Sequence, residues 1–127
     1  MDIKSLYTLE AHESGSEMNI ISPVNGEPTE CFLTVLGVDS RAWRDAELAG
    51  KRDIVNLAEN GDFDKFKSRR IIAETLTQAV TGWRGFDDNG KPLDFDRAFL
   101  ADLIINSPSI GDQIDRFIAT RSNFTKG

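Results

Sequence analysis

Cys31 is the only thiol in the 127-residue sequence and His12 the only imidazole. A Cys–His pair does acyl chemistry when the imidazole takes the thiol proton and a third group orients the ring. Nothing in their spacing suggests such a pair. His12 stands in a polar stretch near the start, and Cys31 heads an apolar run that reads as a strand, where a buried and inert cysteine is the common occupant. One cysteine makes no internal disulfide, and one cysteine with one histidine is too few for a zinc site. The 21 Asp and Glu offer many carboxylate pairs, but abundance of this kind is what a solvated acidic surface looks like. Gly82, Gly85 and Gly90 do not match a phosphate-cradling pattern.

Asp87-Asp88-Asn89-Gly90 invites a calcium reading. With Gly90 as the invariant glycine of an EF-hand loop, Asn89 and Asp87 fall on ligand positions. The leading carboxylate position, however, is Gly85, and the bidentate Glu position is Asp96. Asn89-Gly90 is also the preferred pair for a two-residue hairpin turn, because both residues take positive φ. The turn is the stronger reading. The cationic cluster Lys65 to Arg70 spreads its charges around a helix with acidic neighbours, as a solvated face does. The expectation is a non-enzymatic protein with no catalytic residues, no cofactor and no metal.

The net charge of -6 lacks the basic footprint of a nucleic-acid binder and repels anionic membrane surfaces. No apolar run approaches the roughly 20 residues of a membrane span. The first residues lack a basic region followed by an apolar block, so no secretory signal is expected. Hydrophobic residues make up 39% and charged residues 28%, enough apolar material for one modest core.

Aromatic residues are the remaining candidates. There are eight Phe and two Trp, many of them late in the chain. Trp83, Phe86 and Phe95 lie at or near the glycine-rich loop, where full burial is harder, and Phe117 and Phe124 close the chain. Exposed aromatics at a helix–loop junction commonly anchor protein partners. The alternative, a small satellite core under the loop, stays open. These five residues are the candidate partner-binding set.

The elements that must position them divide the chain at Val38. Met18 to Ile21 and Cys31 to Val38 read as two strands around a Pro-, Gly- and Asn-rich turn. Residues 1 to 14 read as a further strand near Leu6 to Leu9 or as a loose arm. From Asp39 the period becomes helical. Asp39 and Ser40 are both candidate N-caps, and Trp43, Ala46, Ala49, Ile54, Leu57 and Ala58 form a stripe that Gly50 could break. Phe63, Phe66, Ile72, Leu76, Ala79, Val80 and Trp83 form a second stripe, ending near Gly82. Asp96 caps a third helix, with Phe95 and Leu100 placed as a hydrophobic staple. Ser107-Pro108 opens a fourth, with Ile110, Ile114, Phe117, Ile118 and Phe124 as its apolar side. The fold class is α+β and helix-dominated: one domain over 1–127, with a short N-terminal antiparallel β element and arm (1–38), about four helices (39–124) and a mobile tail (125–127).

Four fragments, in this order, carry a family likeness: the helix start "DSRAWRDA", then "AETLTQAVTGWRGF", "GKPLDF" and "IGDQIDRFIATRSNF". Together they resemble the tail assembly chaperones of long-tailed, siphovirus-type, lambda-like bacteriophages over about residues 32 to 124. One departure is Asp96, where such proteins carry Ser or Thr followed by Pro; Asp caps a helix equally well. The resemblance implies a non-enzymatic factor of the host cytoplasm, absent from the finished virion. It implies binding to the tape measure protein, whose apolar helices it keeps soluble, and recruitment of the major tail tube protein. It also implies a longer frameshifted form, made when ribosomes slip back one base; Thr125-Lys126-Gly127 can encode a slippery heptamer. A homo-oligomer is compatible with it. The competing expectations are a structural virion protein, in the tail or head–tail connector, and an acidic regulatory or inhibitory protein such as a nucleic-acid mimic.

Overall fold

A computed structural model describes residues 1–125; Lys126 and Gly127, the end of the tail expected to be mobile, lie outside the described residues. The leader forms no strand. It makes a 3-10 turn (Ile3–Leu6) and a short helix, α1 (Leu9–Ser14). The expected hairpin comes next, each strand beginning earlier than its apolar run suggested: β1 (Ser16–Ile21) pairs antiparallel with β2 (Pro28–Val35). Its turn closes through the Ser22 N–H, which donates to the Glu27 carbonyl at 2.8 Å.

Helix α2 (Arg41–Glu59) starts at Ser40, whose hydroxyl accepts from the Trp43 N–H at 3.2 Å. That satisfies one of the orphan donors of the first turn. Of the two candidate caps, Asp39 is instead free for ion pairs. The break that Gly50 could have made is absent, and α2 runs unbroken for 19 residues. Helix α3 (Lys65–Thr77) packs against it.

The main correction lies at the end of α3. The helical stripe was expected to run to Gly82, yet the helix stops at Thr77 and Val80–Arg84 form strand β3. β3 pairs antiparallel with β2, giving the sheet order β1-β2-β3. The β part is therefore not confined to the N-terminus. Two contacts hold the switch. The Leu36 N–H donates to the Ala79 carbonyl at 2.7 Å. The Arg97 guanidinium donates to the carbonyl of Thr77 (3.1 Å), which the ended helix would otherwise leave unpaired, and to that of Val80 (2.8 Å) at the start of β3.

A miniature hairpin, β4 (Asp87–Asp88) with β5 (Lys91–Pro92), then turns through Asn89 (φ 51°) and Gly90 (φ 78°). This is the expected positive-φ pair. Helix α4 (Arg97–Asn106) starts at Asp96, which accepts from the Phe99 N–H at 3.1 Å. Helix α5 (Pro108–Ala119) starts with Pro108 in its first turn, although the Ser107 side chain makes no capping bond.

The protein is a single α+β domain. Helix α5 packs on β1 and β2, and the sheet residues Met18, Ile20, Leu33, Val35 and Val80 merge with Ala73 and Leu76 of α3, Leu100 and Ile104 of α4, and Ile114 and Ile118 of α5 into one core. Each fully buried Leu or Ile stabilises the fold by about 1.5–3 kcal/mol before entropic costs. Gln113 fixes α5 to the sheet: its amide accepts from the Ile21 N–H (2.8 Å) and donates to the Ile21 carbonyl (2.9 Å).

Candidate functional site

The five candidate aromatics fall into two clusters. Trp83 is half-buried at the end of β3. Its ring lies 4.5 Å from Phe86 and 5.1 Å, edge-on, from Phe95. The indole N–H donates to the Leu93 carbonyl at 2.9 Å. The small hairpin thus folds back over the indole, and all three rings pack against the main core. Of the two readings left open for the loop, this geometry is that of a satellite core whose outer edges stay accessible.

The second cluster is at the C-terminal end. Phe124 is fully buried (0% exposed), so it offers no surface to a partner. Its ring meets Phe117 edge-on at 5.6 Å and His12 at 4.9 Å. Phe124 was also expected on the apolar side of the last helix; instead the chain leaves α5 at Ala119, makes a 3-10 turn (Arg121–Asn123) and drops the ring into a slot closed by His12 of α1.

His12, read from sequence as a residue of a polar stretch, is likewise buried. Its Nδ1 accepts from the Asp39 N–H at 3.1 Å, and its Nε2 lies 3.5 Å from Asp39 Oδ2. Asp39 also receives two bonds from Arg121, both 3.0 Å, and one from Arg44 at 3.0 Å. The paired Arg121 guanidinium, with help from Arg44, holds the Asp39 carboxyl well below the usual carboxylate range. This network ties α1, the start of α2 and the C-terminal turn together. Cys31 is bonded elsewhere: its thiol donates to the Gly85 carbonyl at 3.4 Å, and burial pushes its pKa up, away from a reactive thiolate. Among the described residues no group of three or more His, Cys, Asp or Glu could hold a metal ion, and no helix is long and apolar enough to cross a membrane.

The largest departure from expectation is on α2 and α3. Phe63, Phe66 and Ile72 were read as part of one apolar helical stripe, yet Phe63 lies before α3. They are 59%, 78% and 50% exposed, and Val55 on α2 is exposed as well. The α2–α3 pair projects beyond the core, which reaches only its base at Trp43, Ala73 and Leu76. Between this arm and α5 runs an apolar groove. One hollow of about 310 Å³ is lined by Ile72, Ala73, Leu76, Ile104, Ile105, Pro108 and Gly111, with Arg69, Asp112 and Asp115 at its rim. A second, of about 190 Å³, shares Ile72, Leu76 and Asp115 and continues to Trp43, Ile54, Glu47 and Lys51. The signal missed in the sequence is the apolar stripe itself: periodicity shows that residues share a face, but not that the face is covered.

Such a groove has the chemistry of a binding surface. Its floor is aliphatic, its rim is charged, and its walls are helices. In comparisons with protein-family models, curated proteins and solved structures, the chain has no match in any of the three.

Proposed function

We propose that this protein is a non-enzymatic tail assembly chaperone of a long-tailed bacteriophage. It binds the tape measure protein in the host cytoplasm, keeps that protein's apolar helices soluble, and helps recruit tail tube subunits. The observation that supports this most is the uncovered apolar face of the groove, with Ile72 half-exposed on its α3 wall; Val55, Phe63 and Phe66 are further exposed apolar side chains of the α2–α3 arm. A chain with a net charge of -6 stays soluble while presenting such a face, which is what a protein that shields another's apolar helices requires. The fragments that resemble the chaperone family supply the partner's identity.

Co-expression tests the reading. The tape measure protein should be insoluble alone and soluble with this chain, and the two should co-purify. Failure to change its solubility would sink the proposal. Proteomics of purified virions separates the chaperone from a structural tail or connector subunit, since the chain at structural copy number in virions favours the latter. The longer minus-one product is checked by reading the codons for Thr125-Lys126-Gly127 and by a synonymous change within them.

A further inference from the structure

The two walls of the groove match. On α3, Arg69, Ile72, Ala73 and Leu76 face it, and on α5, Pro108, Gly111, Asp112 and Asp115. Both sets have the i, i+3, i+4, i+7 spacing of one helical stripe, about 10 Å of helix length. Side chains in such rows form ridges and grooves that accept the ridges of another helix. An extended peptide would find no unpaired backbone edge here, because both walls are helical, and so would gain none of the main-chain bonds that give strand addition its affinity.

The rim adds a direction. Asp112 and Asp115, one turn apart on α5, are exposed, and no ion pair or hydrogen bond to either occurs among the described residues. Glu47 adds a third carboxylate from α2, while Arg69 and Lys51 stand on the α3 and α2 side. The acidic wall is α5. The chain's net charge of -6 disfavours a second copy of itself as the occupant.

We infer that this groove docks an amphipathic α-helix bearing Lys or Arg along the edge that faces Asp112 and Asp115. The inference rests on the chaperone reading for the natural partner, a basic-edged helix of the tape measure protein. The test needs no such partner. Two synthetic helical peptides of about 18 residues share one Leu face; one carries Lys on its polar positions, the other Glu. Each is titrated into the full chain at about 0.1 M salt, monitored by calorimetry and by amide chemical shifts. The Lys peptide should bind at least about tenfold more tightly, with shifts along Arg69–Leu76 and Ser109–Asp115. Ile72→Glu should weaken it by about tenfold or more, and Asp112→Lys with Asp115→Lys should abolish the preference for Lys. All three positions are exposed, so melts should be unchanged; if Ile72→Glu unfolds the chain, the Asp variants carry the test.

Equal affinity for the two peptides, shifts centred on Trp83 and Phe86, or indifference to these substitutions overturns the inference. So does a dimer that Ile72→Glu dissolves, which assigns the groove to a second copy. The same variants in the co-expression assay keep the two readings apart. Peptide binding without any effect on tape measure solubility sinks the chaperone reading and leaves the groove standing. Solubilisation that survives all the groove variants does the reverse.

Discussion

Asp39 shows how much one carboxylate can tie together. It accepts from Arg121 and Arg44, and its backbone N–H serves the buried His12. Because its pKa is depressed from an ordinary 3.8 in the folded state, the stabilisation it supplies is fully present above that value. It is lost as the pH falls below 3.8 toward the lower folded value. Asp39→Asn should therefore narrow the gap in urea midpoint between about pH 5 and about pH 2.5; an unchanged gap would show that the network contributes nothing to acid sensitivity. Trp83 tests packing against partner contact. As a half-buried satellite-core residue, its replacement by Ala should cost about 2 to 3 kcal/mol, under the roughly 3 to 5 of a fully buried aromatic. Denaturant unfolding measures this. If stability holds while tape measure binding falls, the ring is a partner anchor instead.

At the scale of elements, the junction of α2 with α3 turns on one atom. Gly50 is buried in the middle of α2, and a Cβ there would collide with the Thr75 hydroxyl, which is held on α3 by its bond to the Ile71 carbonyl at 2.7 Å. Helix propensity alone favours Ala over Gly by about 1 kcal/mol. Gly50→Ala should fail to deliver that gain in the wild type and should deliver it in a Thr75→Ala background. A double-mutant cycle of thermal or urea unfolding reads the coupling, and strict additivity would remove the contact as the reason for this glycine. The β4–β5 hairpin makes a similar point. Asn89 at φ 51° and Gly90 at φ 78° supply the turn that brings Leu93 back over Trp83.

For the whole molecule, the balance is between a repulsive net charge of -6 and an uncovered apolar arm. At low ionic strength the charge keeps copies apart, and added salt screens it. Light scattering of the wild type should show apparent mass rising with salt. Phe63→Ser with Phe66→Ser should suppress that rise while changing stability by no more than about 0.5 kcal/mol, since neither ring contributes to the core. A large drop in stability in the double variant would mean that the rings support the α2–α3 pair rather than a partner.

Much of this architecture was legible in the sequence because it depends on neighbours in the chain. Asp96 as a cap, Pro108 in a first turn, Asn89-Gly90 as a positive-φ turn and the β1–β2 hairpin all arise from side-chain and backbone preferences over a few residues. Tertiary structure decided the rest. Val80 to Trp83 continue a helical period, yet they lie in a strand because β2 offers unpaired backbone there and Arg97 satisfies the ended helix. His12 and Phe124 stand at opposite ends of the chain, and only the fold stacks one ring on the other. Phe63, Phe66 and Ile72 share the periodicity of core residues and are exposed. A stripe records which side chains point the same way. Whether another surface meets them is a property of the packed chain, and in this protein it leaves Ile72 open to the groove and Phe63 and Phe66 open to solvent.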